Sequence, residues 1–146
     1  MGVYGGVMRI DELPDAARAF LQHPRLATIS RHGDPYPHAV PVWFEWNGST
    51  IEFFSRPDRP KVASLVADPR VSALVSAEVA EPVYWVRIEG DARIDDDAGE
   101  LVARTCDRYL EPGNPAHDAL RADLLANAVD CVRVTIHPQH FYHFVS

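Results

Sequence analysis

Three strand-length apolar runs crowd into the stretch from residue 26 to residue 55: LATIS at 26–30, HAVPVWFEW at 38–46 and IEFFS at 51–55. Parallel pairing of successive strands needs a crossover of roughly a dozen residues or more. No connection here is that long. Arg31-His32-Gly33-Asp34 is a turn, and Asn47-Gly48 is a hairpin signal because both residues tolerate positive φ. The three runs must therefore pair antiparallel. Three more runs come at 71–77, 84–94 and 131–136, and the tail 137–146 continues as strand after a kink at Pro138. The 84–94 run alternates: Val86, Ile88, Ala92 and Ile94 face one way, Arg87, Glu89, Asp91 and Arg93 the other. Helical patterns occupy 14–21, 61–67, 95–110 and 116–127. Six strands with a few helices predict a mainly β fold, a small antiparallel barrel with helices packed outside. The length suits one domain over residues 1–146.

Net charge is −7, which argues against a general nucleic-acid binder, since such proteins carry a basic face. No apolar run approaches the roughly 20 residues of a membrane span. The start, MGVYGGVMRIDEL, lacks a basic segment and a long apolar core, so a cytoplasmic protein without membrane partners is expected. Cys106 and Cys131 form no CxxC and no zinc-like spacing, and are read as buried thiols in a reducing compartment. There is no nucleophile elbow, Walker loop, GxGxxG or HExxH.

Against that acidic background, the turn SRPDRPK at 55–61 gathers three cations and two prolines. Ser55 ends a strand, Arg56 and Arg59 lie in the loop, and Lys61 falls in the first turn of a helix whose start leaves amide groups unpaired. That combination suits a phosphate. A solvated turn, with Asp58 capping the helix, is the competing reading. Pro41 interrupts an otherwise interior-looking strand, so that strand runs at an edge or borders something other than a strand. Val40, Val42, Phe44 and Trp46 are expected to share a face, with Pro41, Trp43 and Glu45 outward. Outward Trp43 and Trp85 invite a partner or a flat ring. In the tail, strand geometry would put His137 and His143 on one face and His140 on the other, which keeps a haem or metal reading open.

The segments LATISRHGDPYPHAVPVWFEWNGSTIEFFS, RPKVASLVADPRVSALV and VYWVRIEGDARI, with the ending VRVTIHPQHFYHF, resemble the pyridoxamine-phosphate-oxidase-like split-barrel superfamily of flavin- and deazaflavin-binding proteins. The resemblance implies a six-stranded antiparallel split barrel of the FMN-binding type. It implies a homodimer with the cofactor in a groove at the subunit interface. Carried over by position, Lys61 matches the lysine that binds cofactor phosphate, and Ser55 the hydroxyl residue ending the third strand. Arg56 and Arg59 become auxiliaries, Val40, Pro41, Val42 and Trp43 the strand along the ring system, and Trp85 a position facing the other subunit's cofactor. The chain departs from the oxidase proper: Pro60 stands where the oxidase has an arginine, the oxidase has a polar residue near the position of Trp85 and a longer C-terminal substrate-binding segment, and no counterparts of its substrate-phosphate arginines are located here. The resemblance therefore implies an FMN- or F-420-dependent oxidoreductase passing a hydride to or from a small conjugated substrate. No side chain is assigned as acid or base, and Tyr84, Trp85, His143 and Phe144 are expected to line the pocket. A non-catalytic flavin- or haem-binding split barrel is the alternative.

Overall fold

The computed structural model describes residues 3–4 and 9–145, with side chains for 9–145. Its strands are β1 (Val3–Tyr4), β2 (Leu26–Arg31), β3 (His38–Trp43), β4 (Glu45–Trp46), β5 (Ile51–Ser55), β6 (Arg70–Ser76), β7 (Trp85–Asp95) and β8 (Val132–Val145). The helices are α1 (Asp15–Gln22), α2 (Pro60–Ala67), α3 (Gly99–Tyr109) and α4 (Pro115–Ala126). Every pairing is antiparallel, in the order β3-β2-β6-β7-β8-β5-β4, with β1 added to β8. The sheet curls into a half-barrel of split-barrel type, as the resemblance implied.

The run expected as one strand over 38–46 is two, which raises the strand count above six. It breaks at Phe44, so that β3 pairs with β2 and β4 pairs with β5. These are opposite ends of the strand order, so a single residue of chain joins the two edges of the sheet. Phe44 itself is fully buried. Its N–H donates to the Tyr109 hydroxyl at 3.1 Å, and that hydroxyl donates to the Arg25 carbonyl at 2.7 Å. A side chain on α3 thus takes the place of the missing ladder bond.

The barrel interior shows the period-two pattern. Ala27 and Ile29 of β2, Ala73 and Val75 of β6, Val86 and Ile88 of β7, and Val134 and Ile136 of β8 are fully buried. α1 places Ala17, Phe20 and Leu21 on one face, at i, i+3 and i+4, over one end of this core. α2 buries Val62 and Leu65 at the other end, where Arg31 of β2 meets it. A second cluster, Ala98, Val102, Cys106, Leu110, Ala128 and Cys131, packs outside the sheet against Trp43 and Phe54. Both cysteines are free and buried within it.

α3 begins at Gly99 rather than at residue 95, because β7 runs on to Asp95. The tail pairs continuously with β7, with one register shift: Glu89 lies opposite His140 and Gly90 opposite Pro138, so Gln139 is the extra residue of a bulge. Gly90 permits the close approach there, since a Cβ would overlap the His137 carbonyl. The bulge reverses the facing of the residues beyond it. Ile136 is buried before the bulge, and Phe141 after it. Among the described residues, no helix is long and apolar enough to cross a membrane.

Candidate functional site

The turn between β5 and α2 is built as a strand end feeding a helix start. Pro60 occupies the first helical turn, where its missing N–H costs no hydrogen bond. Arg59 is therefore the N-cap residue, and no side chain caps the helix. Asp58, expected as the cap, instead lies 3.6 Å from Arg56 in an exposed ion pair. Ser55 is 5% exposed, and its hydroxyl donates to the Arg56 carbonyl at 3.0 Å, which fixes the way the chain leaves the strand.

Lys61 is half-buried. Its amine is pushed below the usual lysine range, first by burial and then by the charges of Arg59 and Arg31. Arg31, the last residue of β2, reaches α2, where its Nη1 donates to Ser64 Oγ at 2.9 Å. Among the described residues Arg31, Arg59 and Lys61 form no ion pair, and Arg59 and Arg31 both bear on Lys61, while Asp68, Glu89 and Asp91 line a groove beside Arg31 only as neighbours without a bond to it. Such a cluster at a helix start fits a phosphate group in charge and in donor type. Sequence reasoning missed Arg31. The signal was present in strand parity, because Ala27 and Ile29 face the core and Arg31 is the next residue on that side.

The residues expected to lie along a ring system are at the free edge of the sheet. Among the described residues β3 is hydrogen-bonded on one side only, by β2, and its first residue His38 lies opposite Arg31. From there the strand leads through half-buried Val40, exposed Pro41 and half-buried Val42 to Trp43. Pro41 therefore sits on an edge strand. Val40 and Val42 lie opposite buried Ile29 and Ala27 and face the core. Trp43 does not project into open space: its ring stacks on Tyr109 at 5.2 Å and 9°. Glu45 accepts from Arg104 Nε at 3.0 Å. Trp85 is half-buried at the start of β7, on the outer face with Arg87 and Glu89.

An open groove of about 610 Å³ lies beside the cradle, and Arg31 belongs to both. Its walls include His32, Arg70, Glu89 and His140. Asp68 holds Arg70 at 2.7 Å, and the hydrogen bonds from Arg70 bring the Asp68 carboxyl down to about 2. The expected facing of the tail histidines is corrected by the bulge. His137 lies opposite Asp91 and His140 opposite Glu89, both outward, whereas His143 lies opposite buried Val86. His143 Nδ1 is 3.3 Å from the Tyr84 hydroxyl, and burial raises the pKa of that tyrosine. Among the described residues no three His, Cys, Asp or Glu side chains are grouped to hold a metal ion.

A family profile described as pyridoxamine 5'-phosphate oxidase matches residues 13–127, most of the chain. The chain belongs to the pyridoxamine 5'-phosphate oxidase family. Solved structures share the fold of this family member at low identity. An F-420 reductase superposes with a TM-score of 0.69 at 22% identity, covering 88% of this chain and 98% of that one. A conserved hypothetical protein from Mycobacterium tuberculosis gives 0.67 at 24%, over 88% and 82%. An FAD and haem binding protein from Mycobacterium smegmatis gives 0.67 at 19%, over 92% and 71%. No curated protein matches the sequence. Within the matched span this family member has the whole β5–α2 turn, with Pro60 directly before Lys61.

Proposed function

We propose that the chain is a flavin-dependent oxidoreductase that holds FMN by its phosphate at the β5–α2 turn and works as a homodimer on a small conjugated substrate. The observation that carries this reading is the unneutralised cluster of Arg31, Arg59 and Lys61 at the start of α2. A phosphate supplies the charge that the chain withholds, and Ser55 and Arg56 frame the entry to the turn. β3 begins beside this cluster. Its unpaired backbone edge, through Val40, Pro41 and Val42 to Trp43, is suited to lie along a planar ring. Bound flavin would supply the hydride chemistry, while the chain supplies position and charge.

The outer face of the sheet supports the dimer. Leu26 is 51% exposed there, and Leu74, Trp85, Tyr142 and Phe144 are half-buried. The Arg87 guanidinium lies 4.1 Å over the Tyr142 ring. A second copy would cover this apolar stripe and bring Trp85 to the other subunit's cofactor. FMN is preferred to F-420 because one phosphate cradle suffices for it, and the chain's net charge of −7 offers little to a polyanionic tail. The structural likeness to an F-420 reductase makes that deazaflavin the second candidate.

The visible spectrum of the purified protein, as isolated and after reconstitution, tests the reading. Absorbance at ~450 nm is expected for FMN, and at ~420 nm for the deazaflavin. A protein that stays colourless and binds neither would end the oxidoreductase reading.

A further inference from the structure

Arg31 stands where the barrel pattern calls for an apolar side chain. Ala27 and Ile29, four and two residues before it on the same face of β2, are fully buried in the core. Its guanidinium is anchored rather than solvated: Nη1 donates to Ser64 Oγ at 2.9 Å, and Nε is shielded from solvent without a hydrogen-bond partner. Ser64 lies three residues beyond Lys61 on α2, so the two side chains are neighbours on one helix face, about 5–6 Å apart at Cβ. Arg31 is therefore held beside Lys61 by a strand on one side and a helix on the other. Like charges kept this close without a carboxylate are unfavourable unless an anion completes them. The lowered pKa of Lys61, to which Arg31 contributes, reports the same crowding.

Resting on the phosphate reading above, we propose that Arg31 makes this cradle selective for a doubly charged phosphate monoester, by answering the second negative charge that a phosphate esterified on both sides lacks. A monoester carries about −1.5 to −2 near neutral pH. Lys61 and Arg59, with the helix-start amides, already suffice for a single charge. A third cation locked in place adds little for a diester and much for a monoester. The site then sorts flavins by the form of their phosphate: FMN is accepted, FAD disfavoured, and riboflavin held only by its ring.

Quenching of flavin fluorescence on titration with FMN, FAD and riboflavin tests this on wild type, Arg31→Gln, Arg31→Lys and Ser64→Ala. Wild type should bind FMN more tightly than either of the others. Arg31→Gln should lose roughly 10- to 100-fold for FMN, as expected for a charge-assisted contact, with riboflavin affinity unchanged. Arg31→Lys should fall between, and Ser64→Ala, which releases the guanidinium from its anchor, should lose FMN affinity by less than Arg31→Gln. FMN affinity of the wild type should weaken below about pH 6, where the phosphate dianion takes up a proton and falls to a single charge, and Arg31→Gln should flatten that fall. If wild type prefers FMN to riboflavin and Arg31→Gln preserves that preference, Arg31 has no such role. If Arg31→Gln weakens riboflavin as much as FMN, the arginine is only a strut for α2 and the proposal is overturned. If wild type binds FMN and riboflavin equally, the phosphate reading itself falls, and this inference with it.

Discussion

Lys61, the proposed phosphate ligand, costs the free protein stability. Burial and two neighbouring arginines lower its pKa, so its charged form is less favoured folded than unfolded. The free protein should therefore gain stability as pH rises through the lowered value toward the ordinary 10.5. Lys61→Met should abolish that rise and melt at or above the wild-type temperature without ligand, while losing the upward shift expected of the wild type with FMN. A thermal melt with and without FMN reads both effects, and a variant that melts well below wild type would contradict the assignment. Tyr109 is a second decisive residue. Tyr109→Phe keeps the stack on Trp43 but leaves the Phe44 N–H without its acceptor. The expected loss is about 1–3 kcal/mol by denaturant unfolding, the cost of a buried unsatisfied donor. Ser55 and Lys61 stand out in the sequence by charge and spacing as a candidate phosphate pair. Arg31 could not be tied to them, because the strand that carries it ends 30 positions before Lys61 and only the folded barrel brings it onto Ser64.

At the level of elements, local rules succeeded where one piece of chain decides its own conformation. The Asn47-Gly48 hairpin forms with Gly48 at φ 97°, and Pro60 sits in the first turn of α2. Pro60 also explains the error at Asp58: a proline at the first helical position makes residue 59 the cap, and Asp58 falls one position too early. The break at Phe44 was hidden because Val40, Val42, Phe44 and Trp46 keep one parity through it. What ends the strand is Tyr109, 65 positions away. Pro138 signalled a kink in the tail but not the phase after it, which Gln139 sets. The loop between β6 and β7 is fastened similarly at long range. Glu81 accepts from Arg25 Nη2 at 2.6 Å and from the Glu78 N–H at 2.7 Å, and these bonds, chiefly that of Arg25, bring its pKa to about 2. This fastening should be complete above the ordinary value of 4.5 and be lost as pH falls through about 2. Glu81→Gln should remove that part of the acid sensitivity. Melting temperatures of the two proteins should differ near neutrality and converge in acid; a constant difference would detach Glu81 from it.

For the whole molecule, the prediction concerns assembly. Leu74 lies on the outer face of the central strand β6, opposite Thr28 of β2 and Arg87 of β7. Leu74→Glu places a charge in the proposed interface without touching the core. Sedimentation should show a dimer for wild type and a monomer for the variant, and the variant should bind FMN less well because Trp85 no longer reaches the partner's site. A wild-type monomer that binds FMN fully would refute the assembly. The sequence announced an antiparallel barrel through its short connections, whereas the choice of which edge stays open depended on where the chain changed partners.

That open seam also bears on how the protein avoids association of the wrong kind. An unpaired sheet edge is a template for strands from other molecules and a starting point for aggregation. Here β3 carries Pro41, which cannot donate to an added strand, and β4 is only two residues long. Phe44, buried between them, joins the two edges by a single residue of chain, so neither continues as a long straight template. The protein can keep a length of β3 backbone unpaired and still give amyloid-like growth little foothold.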